Sequence, residues 1–302
     1  MTIPVLAGKL MGIRNRVLKM AEKSNEILHE TIDQVRAILG EGMNDITVER
    51  AVIGLFFTGV KLSNGEGGIC FTPIKDIPQA VCCPSSAKEM PLSGKITGEK
   101  AEYFIEGMFK GGVLKKALGI AVLNALSATC WNQKGYDKNY KITYDADPVG
   151  EDTILQHETV TVVGALIPYI KMLKQNKDNK FFILELDPRT LKEDELDHFV
   201  PVDKAQEALG QSDLIIITGT TIINNTLEGL VSMAKEGAEI IVVGPTASIL
   251  PDAFFRRGIK KIGSVAVTKP DELLDILAEA GSGYHFYEKS ASKIVIEKNE
   301  GA

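Results

Sequence analysis

The sequence predicts an α/β fold in which a mostly parallel sheet, covered by helices on both faces, follows a smaller α+β domain. Two observations support this prediction. In the second half of the 302-residue chain, short apolar runs of strand length alternate with helical segments, which is the pattern of a parallel sheet buried on both faces. In the first half, a hairpin-like pair of apolar runs is followed by helices.

The first half predicts the α+β arrangement element by element. Apolar residues recur at helical spacing from Ile13 to Leu39, and Gly40 supplies a stop. Two strand-like runs then flank a turn that contains Asn64 and Gly65, which predicts a hairpin. In chain order we expect a helix at 13–39, strand-like runs at 46–60 and 69–72, an irregular loop at 72–95, and helices near 99–109 and 114–129.

The second half predicts regular alternation of strands and helices. A polar, turn-rich segment at 131–152 precedes it, so we expect one domain at 1–150 and another at 151–302. The expected strands are 159–163, 181–184, 214–217, 239–243 and 262–267, and the expected helices are 165–175, 203–209, 222–235, 251–257 and a last one from Thr268 to Ala280.

Composition excludes several classes of function. The net charge of −6 argues against nucleic acid or an anionic membrane as the main partner. No apolar run approaches the roughly 18 residues of a membrane helix, and the start lacks a signal-peptide pattern, so we expect a cytoplasmic protein. Four cysteines without a C-x-x-C pair do not predict a disulfide framework. A homodimer is the prior for such a protein.

The loops after the predicted strands are the expected ligand-binding region, because ligands bind beyond the carboxyl ends of parallel strands. Gly164 follows the first strand, but the dinucleotide fingerprint G-x-G-x-x-G is absent there, which disfavours NAD. Glu185 and Asp187 follow the second strand, about 20 residues later, where ribose hydroxyls are bound in nucleotide-binding sheets. The alternative is that these acids form a solvated strand end.

The loop after the third strand of this half is the most informative. It carries hydroxyl and amide side chains at the start of a predicted helix, whose free N–H groups suit a carboxylate or phosphate. Ordinary helix capping needs only one such residue, so we interpret the loop as a binding site. Its candidate residues are Thr218, Gly219, Thr220, Thr221, Asn224, Asn225 and Thr226. The next loop, with Gly244, Pro245 and Thr246, is expected to form a wall of that site.

Four segments together resemble the heavy-metal-chelation family of uncharacterised proteins. These are IITGTTIINNTLE at 216–228, VVGPTA at 242–247, LGIAVLNAL at 118–126 and the strand end VVG at 162–164. The resemblance implies an enolase-N-terminal-like domain, a Rossmann-like domain, a site in the cleft between them, and a role in binding heavy metals or their chelates. It also implies site roles for Asn124 and for several loop residues named above, namely Gly164, Thr218, Gly219, Thr220, Asn224, Thr226, Gly244 and Pro245. Asn225 departs from the glycine or serine expected there.

The residues themselves do not fix a metal site. A soft-metal site needs converging thiolates or imidazoles, and the four histidines are scattered. Cys82 and Cys83 could capture a soft ion together with Cys70 from the facing strand, although buried cysteines more often serve as small apolar residues. Alternatively, the metal arrives in an organic chelate whose carboxylates dock on 220–225. Lys95 is a candidate anion clamp or base.

Three functions fit these observations. The first is a protein that binds a heavy metal or an anionic metal chelate in the interdomain cleft. The second is an enzyme that uses a nucleoside cofactor such as S-adenosylmethionine, with Glu185 or Asp187 on the ribose. The third is a non-catalytic sensor or assembly subunit, because no nucleophile elbow, zinc-protease motif or P-loop is present.

Overall fold

The structure, a computed structural model, describes residues 25–77, 92–133, 136–176 and 178–299. Its helices are α1 Glu26–Leu39, α2 Ala101–Gly107, α3 Val113–Trp131, α4 Glu151–Leu155, α5 Ile167–Gln175, α6 Ala205–Leu209, α7 Thr220–Ile223, α8 Leu227–Ser232, α9 Asp252–Arg256, α10 Pro270–Ala278 and α11 Gly283–Phe286. Its strands are β1 Val48–Ile53, β2 Phe57–Leu62, β3 Gly67–Phe71, β4 Tyr140–Tyr144, β5 Thr159–Val163, β6 Lys180–Leu184, β7 Phe199–Val200, β8 Leu214–Thr218, β9 Glu239–Val243, β10 Lys261–Val267 and β11 Ala291–Lys298.

The strands form two sheets, and the predicted mostly parallel sheet is confirmed. A three-stranded antiparallel sheet has the order β1-β2-β3, and an eight-stranded sheet has the order β4-β11-β10-β9-β8-β5-β6-β7. The six neighbouring strands β7, β6, β5, β8, β9 and β10 therefore follow the order 3-2-1-4-5-6 of dinucleotide-binding sheets. The point where this order reverses, called the switch point, lies between β5 and β8. β5 pairs in parallel with both of these neighbours, β6 and β8.

Close packing divides the chain into two compact units, which we describe separately. The parallel unit comprises 25–27, 147–243 and 254–261 of the described residues, and the hairpin unit comprises 28–146, 244–253 and 262–299. The segment after residue 262 thus packs within the hairpin unit. The sequence boundary at residue 150 remains a prediction about the order of the domains along the chain.

The parallel unit is held by strands that are apolar on both faces. Val160, Val162 and Ile216 have no exposed surface, as expected for a sheet covered on both sides. One polar pair interrupts this core, where the hydroxyl groups of Thr161 and Ser212 lie 2.7 Å apart and satisfy each other. The buried unit can therefore hold the loops at its strand ends in fixed positions.

The hairpin unit is built on close contact between β3 and α3. A Cβ atom at Gly68 would lie 2.1 Å from the carbonyl oxygen of Ala121 and 2.5 Å from the amide nitrogen of Ala125, so only glycine fits between the strand and the helix. The predicted turn is confirmed, with Gly65 at φ +90°. Residues from the end of the chain complete this core around Ile69, namely Leu273, Leu274, Leu277 and Phe286.

Three expectations about secondary structure are wrong. The run at 46–60 is two strands, because the chain turns at Gly54, whose amide donates to Phe57. The segment at 131–152 contains β4, which pairs antiparallel with β11, a strand that the sequence analysis did not assign. The helix expected at 222–235 is two short helices separated by Asn225, which has φ +60°.

One expectation about composition is also wrong. By length and composition, α3 could cross a membrane, whereas we expected no apolar run of that length. Of its apolar window, 78% is buried in the structure, which is the behaviour of a core helix. The apolar residues of α3 are therefore accounted for by packing in the core of the hairpin unit.

Candidate functional site

Gly164 and Thr218 lie side by side at the point where the strand order reverses. Gly164 follows β5, its amide donates to Leu184, and its φ is +95°. A Cβ atom at this position would lie 2.8 Å from Cγ2 of Thr218, the last residue of β8. The carboxyl ends of β5 and β8 therefore meet, as the sequence predicted from the loop positions, and a ligand placed there would face backbone and a hydroxyl group.

The hydroxyl groups of Thr218, Thr220 and Thr221, at the end of β8, form hydrogen bonds mainly within this segment. The hydroxyl of Thr218 accepts from the Thr220 amide at 3.4 Å and from the Thr220 hydroxyl at 3.2 Å. The Thr221 hydroxyl is buried and donates to the Thr218 carbonyl at 2.7 Å. Thr221 thus turns away from solvent, whereas Thr218 keeps its own hydroxyl proton for a ligand.

The two asparagines close the short helix α7. Asn225 takes a left-handed conformation, and the Thr226 amide donates to the Thr221 carbonyl at 3.0 Å, which is the bond of a Schellman motif. The Asn224 Oδ1 atom accepts from the Thr226 hydroxyl at 2.6 Å. Its Nδ2 group makes no hydrogen bond to another described residue, so it is a donor that a ligand can use.

Both acids after β6 have local partners. One oxygen of Glu185 accepts from the amides of Leu186 and Asp187 at 2.8 and 3.1 Å. The Asp187 carboxylate receives two bonds from the Arg189 guanidinium, at 2.7 and 3.0 Å, and this pairing raises the pKa of Arg189. A ribose at Asp187 would compete with Arg189 for the carboxylate oxygens. The sequence did not predict this pair, because side chains two residues apart face each other only in a particular turn, here the one that begins at Asp187.

The helix that follows Gly164 offers few free donors. The amides of Leu166 and Ile167 donate to the carbonyls of Gly164 and Ala165, and Pro168 has no amide proton. A pyrophosphate at a helix N-terminus needs several free N–H groups. This arrangement agrees with the absence of the dinucleotide fingerprint.

The remaining loop residues lie in the hairpin unit around Asn124. Its Nδ2 donates to the Ile69 carbonyl at 2.7 Å and lies 3.4 Å from the carbonyls of Pro245 and Thr246. The Thr246 hydroxyl accepts from the Phe71 amide at 3.1 Å. Asn124 is 2% exposed, so it joins α3, β3 and the loop after β9. Gly244, at φ +120°, begins that loop.

Lys95 and Asp145 are exposed, and Asp147 has a structural role. Lys95 is exposed after the turn that begins at Leu92. Asp147 accepts from the Tyr169 hydroxyl at 2.7 Å and the Val149 amide at 3.2 Å, which is a structural role in the parallel unit. Asp145 is exposed at a turn of the hairpin unit.

The cysteines that the structure describes are poor metal ligands. Cys70 is fully buried, and its burial raises the pKa of the thiol to about 12. Burial raises the pKa of Cys130 to about 12 as well. Both thiols are therefore protonated at neutral pH, whereas metals bind thiolates. Cys82 and Cys83 lie outside the described residues, and within those residues no group of three metal-ligating side chains converges.

His157 lies at the amino ends of the strands, opposite Gly164 and Thr218. Its Nε2 is 3.3 Å from Glu239, the first residue of β9, and its Nδ1 is 2.7 Å from the Thr153 carbonyl. Nearby, Asp213 pairs with Lys235 at 2.5 Å, which lowers the pKa of the carboxyl. The contacts of His157 and Asp213 therefore lie at the amino ends of the strands, away from Gly164 and Thr218.

Two family models match this chain, and both carry the description "Putative heavy-metal chelation". DUF4213 matches residues 36–127, and DUF364 matches residues 147–296. The chain belongs to this heavy-metal-chelation family. The resemblance inferred from the strand-end motifs is confirmed.

One protein sequence and two crystal structures are similar to this chain. An uncharacterized protein of Methanocaldococcus jannaschii is 30% identical over 193 residues, which cover 64% of this chain and 69% of that protein. A crystal structure of a DUF364 protein of unknown function from Pyrococcus horikoshii has a TM-score of 0.69 at 19% identity, covering 90% of this chain and 99% of that one. Another, from Desulfitobacterium hafniense, has a TM-score of 0.65 at 18% identity, covering 89% and 99%. At these identities the structures show a shared fold.

Proposed function

We propose that this family member binds an anionic metal chelate at the carboxyl ends of β5 and β8, with Thr218 and Asn224 as the donors. The observation that supports this most is that two donors are unused within the described residues, the Thr218 hydroxyl at the switch point and the Asn224 side-chain amide at the end of α7. Beside Thr218, Gly164 lets a ligand approach the backbone. Hydroxyl and amide donors suit the carboxylate oxygens of a chelate.

The donor set favours a chelate over a bare heavy-metal ion. Soft metals prefer thiolates and imidazoles, and in the described residues the strand-end loops supply neither. Cys70 would have to lose a proton that its burial holds firmly. A metal that arrives already ligated by an organic anion needs only hydrogen-bond donors from the protein, and these are present.

Thermal unfolding with and without nickel citrate, an anionic heavy-metal chelate, tests the proposal. At a concentration of about 100 times Kd, binding should stabilise the protein by about 2.7 kcal/mol and raise Tm by about 5 °C or more. Thr218→Val removes the hydroxyl and keeps the branched shape. Asn224→Asp keeps the acceptor for Thr226 and replaces the donor with a charge that repels the anion.

Each variant should lose most of the Tm increase, measured against its own unfolding temperature without ligand. Thr143→Val, at an exposed position of β4, is the matched control and should respond to nickel citrate like the natural protein. An equal Tm increase in all four proteins would place the ligand elsewhere and contradict the proposal.

A nucleoside ligand is the second candidate, and the strand order favours it. The 3-2-1-4-5-6 arrangement is that of dinucleotide-binding sheets. The Arg189–Asp187 pair and the occupied amides after Gly164 weigh against it. In the same thermal assay, stabilisation by S-adenosylmethionine without any response to nickel citrate would replace the first candidate with this one.

A further inference from the structure

A cavity in the hairpin unit lies outside the site proposed above. It has a volume of about 260 Å³ and occupies the turn between α2 and α3. It is lined by Tyr103, Phe104, Glu106, Gly107, Lys110 and Lys115. The lining thus combines two aromatic side chains with charged groups, which is the composition of a small-ligand site.

Two lysines and one glutamate line this cavity, so the charge of its lining is net positive. Glu106 lies 3.1 Å from Arg36, which it shares with Glu102 and Asp33. The side-chain ammonium groups of Lys110 and Lys115 make no ion pair or hydrogen bond with another residue that the structure describes. Lys115 also lies in the first turn of α3, which contains no acidic residue, so the helix end adds to the positive potential. The chain as a whole carries a net charge of −6, so the sign of the charge at this cavity is opposite to that of the chain.

The Lys115 side chain lies close to Gly111 at one side of the cavity. Gly111 has φ +148°, and a Cβ atom there would lie 2.5 Å from Cδ and 3.3 Å from Nζ of Lys115. The lysine side chain therefore folds over the glycine in space that any other residue would occupy. On the other side, Gly107 leaves open space, with no atom within 4 Å of its Cβ position. A ligand can enter beside Gly107 and meet the lysine.

The aromatic lining supplies a face for a planar group. Tyr103 is 49% exposed and stands edge-to-face against the buried Phe104, with ring centroids 5.4 Å apart. The Phe104 ring fixes the orientation of Tyr103. An exposed aromatic ring held in one orientation offers a stacking surface at low cost in side-chain entropy.

We infer that this cavity, which we call the lysine cavity, binds a small aromatic anion. The ring of the ligand lies against Tyr103, and its phosphate or carboxylate lies between Lys110 and Lys115. The volume holds a single ring with one charged group. Because the lysine cavity lies in the hairpin unit, this inference does not depend on the chelate site at β5 and β8.

Calorimetric titration of the full chain with phenylphosphonate tests the inference. Saturable binding is expected, and inorganic phosphate and benzyl alcohol, which each carry half of the recognised features, should bind about tenfold more weakly or worse. The double variant Lys110→Met/Lys115→Met keeps the apolar stems and should weaken phenylphosphonate binding by about tenfold or more. Tyr103→Leu should weaken it while leaving the binding of inorganic phosphate unchanged.

Lys171→Met, at an exposed position of α5, is the matched charge control and should bind like the natural protein. Thr218→Val should also bind phenylphosphonate normally, which separates this inference from the chelate proposal. Circular dichroism checks that each variant is folded. Absence of saturable binding, equal binding by the double lysine variant, or inorganic phosphate as tight as phenylphosphonate would overturn the inference.

Discussion

Replacing Gly68 with alanine is expected to lower the free energy of unfolding by about 3 kcal/mol. The added methyl group would lie 2.1 Å from the carbonyl oxygen of Ala121 and 2.5 Å from the amide nitrogen of Ala125. Both atoms belong to the backbone of α3, a fully formed core helix, so they cannot move aside by a change of rotamer. β3 would have to separate from α3, which would open the packing between the hairpin and its helix.

Chemical denaturation measures this effect, and Gly229→Ala supplies the control. Gly229 lies inside α8 with no atom within 4 Å of its Cβ position. Alanine should therefore stabilise that helix by about 0.5–1 kcal/mol through helix propensity. If Gly68→Ala unfolded at the same denaturant concentration as the natural protein, the described contact between β3 and α3 would be wrong.

Replacing Gly164 with alanine is expected to cost about 2 kcal/mol of stability and to abolish chelate binding. Gly164 has φ +95°, which alanine adopts only with strain, and the new methyl would press on Cγ2 of Thr218 at 2.8 Å. Threonine is stiff at χ1, so the hydroxyl that we assign to the ligand would be displaced. Stability and binding should therefore fall together.

A second substitution separates the clash from the backbone strain. Thr218→Ser removes Cγ2 and keeps the hydroxyl, so by itself it should preserve nickel citrate binding. In the Gly164→Ala/Thr218→Ser variant the clash is relieved, and we expect a coupling energy of about 1 kcal/mol in stability. Strictly additive effects in denaturation experiments would mean that Gly164 and Thr218 are not in contact.

The sequence predicted the central strands because burial on both faces leaves a simple pattern. Runs such as 214–217 contain no polar residue, and β8 is buried along almost its whole length. The edge strand β4 left no such pattern, because only Tyr140 of its five residues is buried. The split between α7 and α8 was hidden for another reason. Apolar residues continue on both sides of Asn224, Asn225 and Thr226, and the helix ends there because Asn225 takes a left-handed conformation.

The position of the candidate site could be predicted from the sequence, but the hydrogen-bond partners of its side chains could not. Strand ends follow from the alternation of strands and helices, so Gly164 and Thr218 could be placed together. Which hydroxyl groups serve the loop itself depends on turn geometry of a few tenths of an ångström. Thr221 was therefore expected to face a ligand, although the structure turns its hydroxyl inward to the Thr218 carbonyl.

Calorimetric titration with Ni²⁺ in the presence and absence of citrate shows whether the protein recognises the anionic chelate or the metal ion. We expect saturable binding of nickel citrate by the full chain, little or no binding of Ni²⁺ alone, and loss of the citrate-dependent signal in Thr218→Val. Tight binding of Ni²⁺ alone that is weakened by citrate and lost in Cys70→Ser would contradict the proposal, because the metal would then be held by thiolates and not through an organic anion.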